Sequence, residues 1–119
     1  MTRESLDYMD DIIEAMENAL AFVEGMDYGD FIKDTKTVYA VIRCIEIIGE
    51  AVKGMPDEIK ASEPGISWRN IAGMRDKLIH GYFGVEPERV WQVVRRDIPA
   101  LKPVFEELRD RTQTERGEK

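Results

Sequence analysis

The stretch Val38–Pro56, VYAVIRCIEIIGEAVKGMP, decides the fold of this chain. Its large apolar residues recur at alternating steps of three and four, at Val38, Val41, Ile45, Ile48, Val52 and Met55. This spacing predicts a helix with one apolar stripe, and Pro56 predicts its end, because proline lacks the backbone donor that a helix interior uses. Asp34 or Thr35 is available as the N-cap of this helix.

The start of the chain carries a matching apolar stripe, at Leu6, Met9, Ile13, Met16, Leu20 and Val23. Acidic residues fill the opposite side, where a solvated outer face explains them better than a Mg²⁺ site. A second amphipathic helix is therefore predicted, and the two stripes are expected to pack against each other. Between the two helices, Gly25–Asp30 is interpreted as a break, with Gly29 available for a turn.

The second half of the chain is predicted to contain two more long helices. Ser67 is the predicted N-cap of a helix that runs from Trp68 to about His80. The last helix is expected to begin near Pro87, a residue type favoured at the first helical position. Pro99 and Pro103 are expected to bend this last helix.

We therefore predict an all-α fold, an up-and-down bundle of four main helices plus a short helix at residues 56–60. The chain has 119 residues, the size of one domain. That domain is expected to cover residues 1–110, with residues 111–119 as a charged, frayed tail.

Composition excludes several classes of protein. With 43% hydrophobic and 34% charged residues, the chain is an ordinary globular protein rather than a disordered one. The one cysteine, Cys44, excludes an internal disulfide and a cysteine-rich zinc site. Apolar runs are far shorter than the roughly 20 residues that span a bilayer, and acids stand where a signal peptide needs basic and apolar residues. We expect a cytoplasmic protein with no membrane contact.

Charge is unevenly distributed along the sequence. The net charge of −7 argues against a whole-molecule attraction to nucleic acid. Residues 67–102, however, hold seven basic and four acidic side chains and are the only basic block. This block contains Arg69, Arg75, Lys77 and the only histidine, His80. An anionic ligand would therefore bind here.

Arg75 is a charged residue at an unusual position on the predicted helix. On a helical wheel it falls in the middle of the apolar arc, where an unpaired guanidinium would cost several kcal/mol. One interpretation is a salt bridge to Glu46 or Glu50, which form a polar stripe on the preceding long helix together with Arg43. The other is that Arg75 lines a cleft or a dimer seam and binds a phosphate, for which its planar fork is suited.

His80 falls off the apolar arc, in the last predicted turn before Gly81, and is expected to be accessible. A helix C-terminus favours the imidazolium, which keeps the pKa within reach of neutrality and suits proton transfer. An isolated surface histidine more often has no role. Arg75, His80 and Tyr82, however, all lie within one span of eight residues.

The stretch Ile66–Val85 (ISWRNIAGMRDKLIHGYFGV) resembles the signature of the HepT-like HEPN toxin ribonucleases, with its R-x4-H-x-Y motif at Arg75, His80 and Tyr82. Ile47–Ala51 is similar to the box on the second helix of that family. Val90-Trp91 and Asp97-Ile98-Pro99 are similar to the start and the kink of its last helix. The resemblance covers roughly residues 5–108.

The resemblance implies a metal-independent RNase on a dimeric α-helical HEPN bundle, acting as the toxin of a toxin–antitoxin pair. Arg75 and His80 occupy the catalytic positions of the family. Tyr82 matches the tyrosine that a minimal nucleotidyltransferase antitoxin adenylylates. Arg69, Lys77, Arg43 and Glu50 are candidates for substrate binding, and no metal or cofactor is expected.

Chemistry gives a separate reason to expect a homodimer. Metal-free RNA cleavage needs a base for the 2′-hydroxyl proton, an acid for the leaving 5′-oxygen and a cation for the phosphate. One histidine cannot conveniently hold both proton-transfer positions. A two-fold dimer would bring two copies of His80 and of Arg75 to one seam.

Two other functions remain open at this point. The chain could be a non-catalytic module that binds nucleotide or RNA for a nucleotidyltransferase partner, or a purely structural helical partner. Trp68 and Trp91 could stack on bases, but packing inside the bundle is the preferred interpretation.

Overall fold

The computed structural model describes residues 4–78 and 84–115, and these residues form helices joined by short connections. In chain order the elements are α1 Ser5–Phe22, α2 Tyr28–Lys33, α3 Thr35–Gly54, α4 Asp57–Ser62, α5 Trp68–Ala72, a 3₁₀ turn Met74–Lys77, α6 Pro87–Gln92, a π-helical segment Val93–Asp97 and α7 Ile98–Glu115. No β-strand occurs among the described residues. The predicted all-α class is confirmed.

The core lies between α1 and α3, the two longest helices of the first half, and α7 packs against α1. The apolar stripes that the sequence predicts face each other, and their central residues are fully buried, among them Met9, Ile13, Met16, Val41, Ile45 and Ile48. Burial of such side chains gives about 1.5–3 kcal/mol each. The predicted pairing of these two helices is therefore the basis of the fold.

Asp34 caps the start of α3. Its carboxylate accepts a hydrogen bond from the backbone N–H of Thr37 at 3.1 Å. This hydrogen bond is the main reason that the pKa of Asp34 is lowered. The N-cap expected at Asp34 or Thr35 is thus Asp34.

Replacing Asp34 with alanine is expected to lower the melting temperature at pH 7 by several degrees, because a backbone donor of α3 loses its acceptor. A carboxylate whose pKa is lowered by folding stabilises the protein above its unfolded pKa, and this contribution is lost as the pH falls through the lowered value. Thermal melts followed by circular dichroism should therefore show wild type and Asp34→Ala converging in acid.

Asp34→Asn is the matched control, because asparagine caps a helix about as well as aspartate and does not titrate. Its melting temperature should stay near that of wild type at pH 7 and should lack this acid-dependent loss. Equal melting temperatures for wild type and Asp34→Ala at pH 7 would contradict the role given to this cap.

The break predicted at Gly25–Asp30 is shorter than expected. α2 begins at Tyr28, stabilised by a reciprocal capping box in which Asp27 and Asp30 each accept a backbone N–H of the other. Gly25, with φ of 77°, takes the left-handed conformation in this connection, whereas Gly29 lies inside α2. The turn is therefore at Gly25 and not at Gly29.

The continuous helix predicted from Trp68 to His80 is wrong. α5 ends at Ala72, Gly73 follows with φ −91° and ψ 4°, and the chain then tightens into the 3₁₀ turn Met74–Lys77. Ser67 does occupy the N-cap position of α5, but its side chain makes no capping hydrogen bond. The bundle consequently lacks an unbroken fourth main helix in the described part of this segment.

Gly49 explains how closely this broken segment approaches α3. A Cβ atom built on Gly49 would lie 3.1 Å from the carbonyl oxygen of Ala72. Such a contact is tighter than real Cβ atoms normally make, so glycine lets the end of α5 pack directly on the α3 backbone. The 3₁₀ turn starts immediately after this contact.

The last helix is one irregular element. α6 starts with Pro87 in its first turn, as predicted, and runs through the π-helical segment into α7. Pro99 removes a backbone donor and crowds the carbonyl four residues earlier, and the π-helical turn lies where that conflict arises. α7 continues to Glu115, beyond Arg111, where the sequence predicts fraying.

The tryptophans pack inside the bundle in agreement with the preferred interpretation. The indole N–H of Trp68 donates to the carbonyl of Glu63 at 3.1 Å, and its ring meets Phe105 edge-on at 5.7 Å. Trp91 contacts Phe31, with ring centroids 5.0 Å apart.

Cys44 is buried, and burial raises the pKa of its thiol. In the described parts of the chain, none of the helices has the length and apolar character needed to span a membrane.

Candidate functional site

Arg75 lies on the 3₁₀ turn with 46% of its side chain exposed. The buried position that the helical wheel predicts is therefore wrong. A 3₁₀ turn advances about 120° per residue instead of 100° and follows a break at Gly73, so the extrapolated wheel no longer applies. The guanidinium faces solvent beside α3, where a ligand can reach it.

Glu46 on α3 holds Arg75 in place. Arg75 Nε donates to Glu46 Oε2 at 2.8 Å, and Arg75 Nη1 lies 3.7 Å from Asp76 Oδ1. The salt bridge to Glu46 is one of the two that the sequence predicts, and the one to Glu50 does not form. Nε carries the bond to Glu46 and Nη1 lies near Asp76, so Nη2 is the part of the guanidinium that stays available for an anion.

Arg43 completes a charged network on the same face of α3. Its Nη1 lies 3.9 Å from Glu46 Oε1 and 3.6 Å from Glu50 Oε1. The predicted polar stripe is therefore present, and Glu46 lies between two guanidinium groups. This arrangement presents two cations, one anchored on each side of a shared carboxylate.

The network contributes little to stability. Partly exposed ion pairs such as these are worth roughly 0.2–1 kcal/mol, because water screens the charges and ordering the side chains costs entropy. Its main physical effect is to fix the direction of Arg75. A phosphate-binding site benefits from this fixed geometry, because the guanidinium is already oriented before the phosphate binds.

The other two basic candidates lie on either side of Arg75 in the chain. Arg69 is exposed on α5, and Lys77 is exposed at the end of the 3₁₀ turn. Neither side chain has an ion-pair partner among the described residues. Both are accessible to an anionic ligand, but only Lys77 shares the turn of Arg75.

A groove of about 460 Å³ runs along the other side of the 3₁₀ turn, against α6 and α7. In a 3₁₀ turn residues three apart eclipse each other, so Met74 and Lys77 both point into this groove. Its lining is mostly apolar and consists of Gly65, Ile66, Ser67, Asn70, Ile71, Met74, Lys77, Leu78, Arg89, Gln92, Val93, Asp97, Ala100, Leu101 and Val104. Val104 is 39% exposed there.

His80 and Tyr82 lie outside the described residues. The chain on either side of them is held together, because the backbone N–H of Glu86 donates to the carbonyl of Leu78 at 2.8 Å. Leu78 is itself buried in the core. This hydrogen bond joins Leu78, three residues after Arg75, to Glu86.

A metal site would need several His, Cys, Asp or Glu side chains close together. Within residues 4–78 and 84–115, no three His, Cys, Asp or Glu side chains are grouped so as to hold a metal ion. The acidic residues of α1 instead pair in part with cations of α7. Arg109 Nη1 lies 3.5 Å from Asp10 Oδ1, and Lys102 Nζ lies 3.7 Å from Glu17 Oε2.

Comparison with known proteins gives a family for this arrangement. The model of the family "Ribonuclease HepT-like" matches residues 12–108, which include Arg43, Glu46, Arg75, His80 and Tyr82. This chain belongs to the HepT-like ribonuclease family. The matched region extends from α1 into α7 and covers most of the chain.

Three relatives illustrate the breadth of the family. A protein of Thermococcus cleftensis named "Probable ribonuclease HepT" is 50% identical over 109 residues, which is 92% of this chain and 99% of the relative. Two proteins of Methanocaldococcus jannaschii, "Putative RNase MJ0125" and "Putative RNase MJ1216", are 46% and 45% identical over 101 residues. Those matches cover 85% of this chain and 87% and 84% of the respective relatives. No solved structure is significantly similar to the chain.

In this HepT-like chain the structure brings together three of the residues that the sequence singles out, Arg75, Arg43 and Glu50, through Glu46. It leaves Arg69 and Lys77 apart from that network. The sequence indicates Glu46 as a salt-bridge partner of Arg75 and, by its spacing of three from Arg43, as part of a polar stripe on one helix face. Its role in directing Arg75 becomes visible only once α3 and the 3₁₀ turn are packed together.

Proposed function

We propose that this chain is a metal-independent endoribonuclease that acts as the toxin of a toxin–antitoxin pair. The observation that carries the proposal is the exposed Arg75 guanidinium, which Glu46 anchors at 2.8 Å. In the sequence, His80 follows Arg75 by five residues. Membership in a ribonuclease family supports the same conclusion. RNA is accordingly the substrate.

The proposed reaction uses the neighbouring 2′-hydroxyl of RNA as the nucleophile. One His80 imidazole takes the 2′ proton while the 2′-oxygen bonds to phosphorus. The bond from phosphorus to the 5′-oxygen then breaks, and a second His80, as imidazolium, protonates that oxygen. Arg75 binds the non-bridging phosphate oxygens and stabilises the charge that develops on them. The products are a 2′,3′-cyclic phosphate and a 5′-hydroxyl.

RNA incubated with the protein in excess EDTA tests this function. We expect cleavage, with 2′,3′-cyclic phosphate ends on the upstream fragments. Tight RNA binding without cleavage would instead select the alternative, a non-catalytic module that serves a nucleotidyltransferase. If the protein neither binds nor cleaves RNA, the remaining alternative is a purely structural helical partner.

A homodimer is part of the proposal, because each reaction centre requires two histidines. The groove beside the 3₁₀ turn is the surface that we assign to the second copy. It is mostly apolar, it exposes Val104, and it reaches Leu78 at the start of the His80 segment. A second copy in this groove would bring both His80 segments to the same seam.

Val104→Asp is expected to raise the dissociation constant of the dimer at least about 10²-fold, because a two-fold interface would bury the new charge twice. RNA cleavage should fall in proportion to the loss of dimer. Sedimentation velocity and a cleavage assay on the same samples measure both effects.

Phe22→Asp is the matched control, since Phe22 is similarly exposed but lies outside the groove. This variant should remain dimeric and active. A Val104→Asp protein that sediments like wild type would contradict the assignment of the groove as the dimer interface.

Tyr82 is the proposed site of control by a minimal nucleotidyltransferase antitoxin. In that reaction the tyrosine oxygen attacks the α-phosphorus of ATP and pyrophosphate leaves. The AMP group adds bulk and negative charge two residues from His80, which would repel an RNA phosphate. Co-expression with the antitoxin should add one or more AMP groups to the intact mass, and Tyr82→Phe should abolish the addition. An unchanged wild-type mass would reject this part of the proposal.

A further inference from the structure

Tyr39 is an exposed aromatic side chain on α3. Its exposed fraction is 61%, the largest among the large hydrophobic side chains of the described residues. Neither its ring nor its hydroxyl has a partner within residues 4–78 and 84–115. Packing of the described chain therefore gives no reason for an aromatic residue here.

Tyr39 shares a helix face with the anchor of Arg75. At 100° per residue, Tyr39, Arg43, Glu46 and Glu50 fall within an arc of about 60°. Seven residues separate Tyr39 from Glu46, which corresponds to about 10 Å along the helix axis. Since Glu46 holds Arg75, the tyrosine ring lies within a short reach of the proposed phosphate site.

Charge around Tyr39 differs from that of the chain as a whole. Thr35–Cys44, the first half of α3, contains Lys36 and Arg43 and no acidic residue. Lys36 and Arg43 are both exposed, at three residues before Tyr39 and four residues after it. Asp34, five residues before Tyr39, is engaged in capping α3. Glu46 and Glu50, further along the same face, pair with Arg43. The first half of α3 thus presents an aromatic side chain beside two cations, on a protein whose net charge is −7.

An aromatic ring between cations suits single-stranded RNA. Every nucleobase has a flat face that can stack on an aromatic side chain, and the neighbouring phosphates are attracted by lysine and arginine. A protein surface would also be contacted by an exposed tyrosine, but the two flanking cations favour a polyanion.

We infer that Tyr39 is a base-stacking platform for the RNA substrate, within about two nucleotides of the phosphate that Arg75 binds. Lys36 and Arg43 contact the backbone of the same stretch. The strand then runs from Arg75 along the outer face of α3 towards its N-terminus. This inference rests on the proposed function and adds where the substrate binds beyond the cleaved bond.

RNA binding by a catalytically inactive variant tests the inference separately from catalysis. In His80→Ala protein, fluorescence anisotropy of a labelled single-stranded RNA of ten nucleotides gives the dissociation constant. Adding Tyr39→Ala should raise that constant about tenfold, the scale of one lost base stack. Tyr39→Phe keeps the ring and should bind within about twofold of the background. Ile32→Ala, at an exposed apolar residue of α2, should have no effect.

Substrate length gives a second readout in the active protein. With the ten-nucleotide RNA, Tyr39→Ala should raise KM about tenfold and leave kcat unchanged. With a dinucleotide that spans only the cleaved bond, Tyr39→Ala and wild type should cleave alike.

Three results would overturn the inference: unchanged binding by Tyr39→Ala, an equal loss in Tyr39→Phe, or dissociation of the dimer by Tyr39→Ala. Absence of cleavage by wild type would overturn the proposed function alone, because the binding measurement does not depend on it.

Discussion

Replacing Arg75 with alanine is expected to reduce RNA cleavage in EDTA by about 10²- to 10³-fold, the scale of losing one preorganised charge-stabilising group. The loss should appear mainly in kcat, because the charge on the phosphate oxygens grows in the transition state. The fold should be retained, since Arg75 is 46% exposed and its ion pair with Glu46 contributes little to stability. Cleavage assays at saturating RNA, with thermal melts of the same samples, measure both quantities.

Two variants control for charge and surface effects in this experiment. Arg75→Lys keeps the charge but lacks the planar fork, so it should recover only part of the activity. Arg109→Ala removes an arginine that pairs with Asp10 between α7 and α1, and it should cleave like wild type. Full activity in Arg75→Ala would show that the guanidinium has no role in the reaction.

Variants of Glu46 test whether the orientation of the Arg75 guanidinium matters separately from its charge. Glu46→Gln keeps an oxygen that can accept from Arg75 Nε but loses the carboxylate charge, whereas Glu46→Ala removes the anchor. We expect Glu46→Ala to be less active than Glu46→Gln, with both above Arg75→Ala. Equal activity of Glu46→Ala and wild type would show that the anchor is dispensable.

Replacing His80 with alanine is expected to lower the rate of metal-free cleavage by at least about 10²- to 10⁴-fold, the usual contribution of a proton-transfer group. Both proton-transfer positions are lost together in a homodimer of the variant, so the effect should exceed that of Arg75→Ala. Single-turnover assays in EDTA measure this rate directly.

RNA binding provides the control for His80. The dissociation constant of a short single-stranded RNA should change little in His80→Ala, because Arg75 and the cations of α3 remain. Wild-type cleavage by His80→Ala would contradict the assignment of the histidine as acid and base.

Hydrophobic periodicity predicted the part of the fold in which long regular helices bury one face. The stripes of α1 and α3 could be found in the sequence because helix geometry is constant over about five turns there. Periodicity does not reveal α2, because its six residues carry one buried side chain, Phe31, and no repeat. Its start depends on the Asp27–Asp30 capping box, a local signal within the stretch Gly25–Asp30 that the sequence indicates as a break.

The segment after Trp68 shows why the position of Arg75 was predicted wrongly. The wheel assumed one rotation per residue from Trp68 to His80, whereas packing of Ala72 on Gly49 ends α5 and starts a 3₁₀ turn. Periodicity carries no information about such a tertiary contact. The same contact brings Arg75 to Glu46, so the ion pair could be predicted from charge while its exposure could not.

The RNA contact proposed for Tyr39 also lies outside the reach of sequence patterns. Tyr39 falls off the apolar stripe of α3, and a tyrosine at such a position is common on helix surfaces. Its meaning depends on the neighbouring Arg43 and on the anchoring of Arg75 by Glu46, which joins two segments 29 residues apart.

The composite site of two protomers is the central claim, and a dilution series tests it most directly. Specific cleavage activity in EDTA is measured over a range of protein concentrations that crosses the dimer dissociation constant, with the dimer fraction of each sample determined by sedimentation. The account predicts that activity follows the dimer fraction and vanishes in the monomer. Full activity in a sample shown to be monomeric would contradict it.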